Sequence, residues 1–111
     1  MVDGIEYVPK NFQASQDGLA YVIVRADRAG VFAGYLEQRD GSEVVLKDAR
    51  RIWYWVGAAS LSQLALDGTS NPSGCKFPAP VPEITVLGVI EVIPATDKAR
   101  ASIASVKEWK Q

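Results

Sequence analysis

The chain has 111 residues, a length that fits one small domain, and is 48% hydrophobic and 23% charged, a balance typical of soluble globules and not of disordered chains. Its formal net charge of −1 supplies no overall field for nucleic acid or for a membrane surface, so any anion binding has to come from a local cluster. Histidine is absent and Cys75 is the one cysteine, which excludes imidazole bases, Ser-His-Asp and Cys-His nucleophile systems, His-ligated metals and an intramolecular disulfide.

Residues 1–18 are mixed and polar and read as an irregular N-terminal arm, with a short strand expected at Ile5–Val8 and a turn at Asp17-Gly18. Residues 19–111 read as a single β-rich domain. Ala20–Ala26 is β-branched and aromatic and predicts a strand, and Asp27–Gly30 turns the chain. Val31–Gln38 predicts a second strand, with Gly34 as a weak point or bulge. Asp40-Gly41 is a strong hairpin signal, leading into a third strand over Glu43–Ala49. In it Val44 and Leu46 share one face, Val45 and Lys47 the other. Arg50–Trp55 continues extended, as a fourth strand or after a bend.

Ser60-Leu61-Ser62-Gln63 has capping-box spacing and predicts a short helix to Asp67, with Leu61, Leu64 and Ala65 inward and Gly68 as the stop. The prolines at 72, 78, 80 and 82 rule out regular helix over 69–82 and suit an extended edge segment. Glu83–Ile93 predicts two strands interrupted at Gly88, or one bent strand. Thr96 caps a second short helix with Ala99 and Ile103 inward, and Trp109 in the tail is expected to dock. The fold class that results is α+β: a β-rich, mostly antiparallel sheet with two short helices. No uninterrupted apolar run approaches a membrane span, and no basic-then-apolar leader opens the sequence, so a membrane or secretory destination is not expected. The cysteine usage suits a reducing cytosol.

The stretch Ala49-Arg-Arg-Ile-Trp-Tyr-Trp-Val-Gly places cations beside indoles. In an extended chain Arg50, Ile52 and Tyr54 share one face, and Arg51, Trp53 and Trp55 share the other, so Arg51 and Trp53 are expected to stack. A planar cation beside an indole suits a nucleotide: the ring takes the base and the guanidinium forks to phosphate. The helix start at Ser60 offers free backbone N–H groups, and Gly57–Ala59 would let a ligand come close. The plainer alternative is that the tryptophans are core and the arginines snorkel outward.

Arg25 and Arg28 bracket the first turn and are candidate anion contacts, or surface charges at a strand end. In the 71–78 loop Lys76 is a candidate phosphate contact and Phe77 a candidate stacking ring, with a core plug the alternative for Phe77. Cys75 has no base near it in sequence and is expected to act as a small apolar residue. The carboxylates show no paired spacing for a metal or a glycosidase, and no glycine-rich phosphate loop of standard spacing occurs. The inventory favours binding over turnover: no enzyme activity, cofactor or metal is expected.

Val22-Ile-Val-Arg-Ala, Ala29-Gly-Val-Phe-Ala-Gly-Tyr, Ala49-Arg-Arg-Ile-Trp-Tyr-Trp, Gly57-Ala-Ala-Ser-Leu-Ser-Gln-Leu-Ala, Asn71-Pro-Ser-Gly-Cys-Lys-Phe-Pro and Glu83-Ile-Thr-Val-Leu resemble a family of short phage and prophage proteins. That family is similar in turn to the phage anti-Thoeris sponge proteins, which trap cyclic ADP-ribose isomers without cleaving them. The resemblance implies a phage anti-defence protein acting in the host bacterial cytoplasm. It implies a dimer or hexamer with a cyclic nucleotide-derived signal as ligand; the charge balance and the lack of a long apolar run, for their part, make neither nucleic acid nor membrane an expected partner. The residue roles follow from the residues themselves and are not carried over from that group: Arg50, Arg51 and Lys76 are expected to hold phosphates, Trp53 and Phe77 to stack, and Arg25 or Arg28 to complete the pocket from a neighbouring subunit. The alternatives are a virion structural or assembly protein with an aromatic protein-binding surface, an inhibitor of a host protein, and an enzyme using Cys75.

Overall fold

The computed structural model describes residues 15–110. Strands β1 (Ser15–Gln16), β2 (Leu19–Ala26), β3 (Gly30–Asp40) and β4 (Glu43–Arg51) form an antiparallel meander. Helix α1 (Leu61–Asp67) and a 3₁₀ turn (Pro72–Gly74) precede β5 (Val81–Val86), β6 (Val89–Pro94) and α2 (Asp97–Ser105). The architecture is α+β, with a mostly antiparallel sheet and two short helices. The strand expected at Ile5–Val8 lies outside the described residues. The polar arm ends inside the sheet, because Asp17 and Gly18 both take positive φ (53° and 78°) and fold Ser15–Gln16 back onto β2.

The last two strands shape the molecule. β5 pairs with β4 at one edge, whereas β6 pairs with β2 at the other. In a flat sheet they would lie about 19 Å apart, four spacings of about 4.8 Å. Three Cα steps from Val86 to Val89 reach about 11 Å at most. The sheet therefore curls until its edges approach, and the chain passes from one to the other at an elbow. Gly88 makes the elbow with φ 72°, a region that an L side chain rarely adopts. Its carbonyl accepts from Asp27 N at 2.8 Å, and Val89 N donates to Ser42 O at 2.9 Å, so the elbow is pinned to the β2–β3 and β3–β4 turns.

Curling leaves two cores. Val22, Val24, Phe32, Val44, Leu46, Ala49, Val86 and Val89 fill the inside of the curl. Tyr21, Ile23, Ala33 and Tyr35 face outward and are covered by Leu64 and Ala65 of α1, Ala99 and Ile103 of α2, and Phe77. β2 is thus buried on both faces, which is why its sequence reads as a continuous apolar run.

A bulge in β4 decides which side chain faces where. Tyr35 pairs with Lys47 and Ala33 with Arg50, so Asp48 and Ala49 together oppose Gly34. Asp48 takes φ 48°. Val44 and Leu46 point into the curl as the alternation predicts; beyond the bulge the phase shifts, so Ala49 and Arg51 lie inside and Arg50 turns to the helices.

Both helices are capped as their sequences predict. Ser60 Oγ accepts from Gln63 N at 3.1 Å, and Gln63 Oε1 accepts from Ala59 N at 2.7 Å. Thr96 Oγ1 accepts from Ala99 N at 3.0 Å and donates to Leu66 O at 2.7 Å, tying α2 to α1. Of the two readings of 50–55, a separate fourth strand does not form: Arg50 and Arg51 belong to the end of β4, and beyond them Tyr54 makes an isolated bridge to Lys76.

Candidate functional site

Arg50 and Arg51, adjacent in sequence, point to opposite sides of the sheet. Arg50 is 7% exposed. Its Nε donates to Pro78 O at 3.0 Å, Nη1 to Ile103 O at 2.8 Å and Nη2 to Phe77 O at 3.2 Å. One guanidinium thus ties β4, the 76–78 segment and the C-terminal end of α2, where a cation also suits the helix dipole. Burial lowers its pKa, an effect opposed by Tyr21 and Glu108. Arg50 is a structural clamp and is not placed to hold phosphate, which corrects the expectation. Phe77 is corrected too: it is fully buried, with Arg50 5.5 Å from its ring centre, and cannot stack on a base.

Arg51 lies on the inner side of the sheet, at the open mouth of the curl. Its guanidinium covers the Phe32 ring at 4.4 Å, and Nη1 donates to Ala29 O at 2.6 Å. The expected Arg51–Trp53 stack is therefore replaced by Arg51 on Phe32. No other acceptor among the described residues engages Arg51, so the rest of its donor fork faces solvent. It borders a groove of about 580 Å³ whose walls include Ile84, Val86 and Leu87, with Asp27 and Arg28 on the rim. Arg51 also borders an adjoining hollow of about 300 Å³ with Trp53 and Trp55. The three residues that alternation put on one face do share one depression. The groove is of the size and mainly apolar character of small-molecule sites.

The remaining candidates lie apart. Trp53 is 59% exposed and stacks on Trp109, with centroids 5.1 Å apart and planes at 10°. Lys76 Nζ lies 5.7–5.8 Å from the rings of Trp53, Tyr54 and Trp109, so its charge sits against aromatic faces. Trp109 is docked as expected, its backbone N–H donating to Phe77 O at 2.9 Å. Arg25 Nε pairs with Glu91 at 3.0 Å across β2 and β6 and does not line the groove.

At the start of α1 the side chains of Ser60 and Gln63 take the N–H groups of Gln63 and Ala59, so only part of the expected set of N–H donors is left to a ligand. Gly57 is required by packing: at φ 82° a Cβ there would lie 2.5 Å from Thr69 Oγ1 and 2.7 Å from Asn71 N. Cys75 is buried, its Sγ 3.6 Å from Val56 O, Thr69 Oγ1 and Asn71 O. Among the described residues no group of three metal-ligating side chains could hold a metal ion, and no helix is long and apolar enough to cross a membrane.

Residues 19–103, which span the curled sheet and nearly all of α2, match the domain of unknown function DUF6948. The chain belongs to that family. No curated protein and no solved structure matches it. In this DUF6948 chain the groove draws Arg28 and Arg51 from the predicted set and adds Phe32, Ile84 and Leu87, which sequence reading left aside. Leu87 carried one usable signal, a large apolar residue directly before the glycine of a bend; it is 62% exposed.

Proposed function

We propose that this DUF6948 chain is a non-catalytic binding protein that holds a nucleotide-derived signal in the groove at the mouth of the curl. The observation that carries the reading is the convergence of Arg28 and Arg51 on an apolar groove of about 580 Å³, with the Arg51 plane lying on Phe32. Arg28 and Arg51 would fork to phosphate, and the outer face of the Arg51 guanidinium offers a base a stacking surface. Ile84, Val86 and Leu87 would cover the apolar side of the ligand, and Asp27 would accept from a ribose hydroxyl. The phage sponge resemblance supplies the ligand class, cyclic ADP-ribose isomers held without cleavage in the host cytoplasm. A dimer or hexamer is part of the same reading.

Calorimetry of the full chain with cyclic ADP-ribose isomers tests it. Saturable heat is expected, with the ligand recovered intact, and Arg51→Ala should weaken binding by roughly 1.5–3 kcal/mol through loss of a charged hydrogen bond to phosphate. Absence of heat with every isomer, at a concentration where the oligomer measured by native mass spectrometry persists, defeats the reading.

A second reading rests on the other surface. Trp53, Tyr54 and Trp109 around Lys76 form an aromatic patch of the composition found at protein interfaces. A virion or assembly protein would use it. Co-purification with capsid or tail parts, lost in Trp53→Ala and indifferent to nucleotide, distinguishes the two.

A further inference from the structure

A second cleft lies on the other face of the sheet, between β2–β4 and α2. It holds about 400 Å³ and is bordered by Tyr21, Tyr35, Asp48, Arg50 and Arg100. Tyr21 is 6% exposed, and among the described residues its hydroxyl has no hydrogen-bond partner. Buried hydroxyls nearly always have one, so a lone hydroxyl bordering a cavity marks a place for a ligand. Tyr35 packs edge-on against it, centroids 4.9 Å apart, and its hydroxyl accepts from Arg100 Nη1 at 3.3 Å. Arg100 also reaches Ser15 O at 3.3 Å and Asp97 at 3.2 Å, which fixes its head at the cleft. Arg50 adds a buried positive charge to the wall.

Asp48 completes the lining from the β4 bulge. It holds a positive φ of 48°, and no cation lies within ion-pair distance of it among the described residues. Backbone strain of this kind collects at ligand-binding positions. Arg100 keeps N–H donors beyond those given to Ser15, Tyr35 and Asp97, and together with the phenolic hydroxyls they suit an anionic oxygen. A carboxylate on the same lining disfavours a multiply charged anion and offers an acceptor to a neighbouring donor group.

We infer that this cleft is a binding site for a small carboxylate carrying a hydrogen-bond donor, such as an α-amino or α-hydroxy acid. The carboxylate lies against Arg100 and the Tyr21 hydroxyl, and the amino or hydroxyl group donates to Asp48. Burial pushes the Tyr21 phenol well above its ordinary value, with Tyr35 acting the same way and Arg50 and Arg100 opposing, so the hydroxyl remains a donor at neutral pH. The site is independent of the groove, which faces the inside of the curl.

NMR titration of the full chain with L-alanine, L-lactate, acetate and inorganic phosphate is the test. L-alanine and L-lactate should shift the resonances of Tyr21, Tyr35 and Arg100 saturably and bind more tightly than acetate. Tyr21→Phe, which keeps the ring and removes only the hydroxyl, and Arg100→Gln should each weaken them about tenfold or more. Asp48→Asn should narrow their advantage over acetate. Absence of saturable shifts from both acids overturns the inference. So does binding untouched by Tyr21→Phe and Arg100→Gln, and so does saturation by phosphate with no response to carboxylates.

Discussion

The helix-covered face of the sheet and the mouth of the curl use the same residue type in opposite ways. On the helix side Arg50 spends its donors on three main-chain carbonyls and joins three segments. At the mouth Arg51 spends one donor on Ala29 and keeps the rest toward solvent over a groove. One residue of spacing separates a stability element from a recognition element. A guanidinium's role is set by how many protein acceptors surround it, and its sequence neighbourhood does not reveal that number.

Substitutions should separate the two faces in order of effect. Arg50→Ala should cost about 3 kcal/mol or more in urea unfolding, because it strands buried carbonyls of three segments. Arg50→Lys should recover little, since an ammonium cannot fork to Pro78, Phe77 and Ile103 together. A loss under about 1 kcal/mol would erase the contrast. Gly57→Ala should cost roughly 2 kcal/mol, from the positive φ and the clash with Thr69.

Alkaline titration comes next. The Tyr21 phenol, raised above its ordinary 10.0, keeps its proton in the fold and loses it on unfolding. Its contribution is intact below pH 10.0 and declines above it, by about 1.4 kcal/mol per pH unit until the folded phenol ionises. Lys47, raised by its hydrogen bond to Glu83 and by the Glu37 and Glu83 charges, acts in the same direction. Tyr21→Phe should remove the tyrosine part of the slope in denaturation curves measured across this range; an unchanged slope would show that Tyr21 is not responsible. The smallest effect is expected at the mouth, where Arg51→Ala should change folding stability by about 1 kcal/mol or less, the worth of an exposed cation–π contact and one hydrogen bond. A loss rivalling that of Arg50→Ala would make Arg51 structural.

Much of the fold was legible locally. Ala20–Ala26, the Asp40-Gly41 turn, the Ser60-to-Gln63 cap, Thr96 and the break at Gly88 all fall where their chemistry predicts. The site was legible only in part. Alternation correctly grouped Arg51, Trp53 and Trp55 and separated them from Arg50. It could not say which group faces helices, because the phase shifts at the bulge that Gly34 signalled, and the extra residue lies on the opposite strand, at Asp48–Ala49. Phe32 under Arg51 and Trp109 against Trp53 depend on partners far along the chain, which periodicity does not report. The clustering of Arg28 with Ile84 and Leu87 has the same origin, since it follows from the elbow that joins the two sheet edges.

That elbow also governs how the molecule assembles itself. Val22 finds Pro94 and Ile23 finds Ile93, so the closing seam joins segments from opposite ends of the domain. The meander and the capped helices close over short loops and can organise early, whereas the seam must wait for a long loop to surrender its entropy. Refolding should accordingly run in the slow range of β-dominated domains, milliseconds to seconds, with acquisition of the groove coinciding with the final phase.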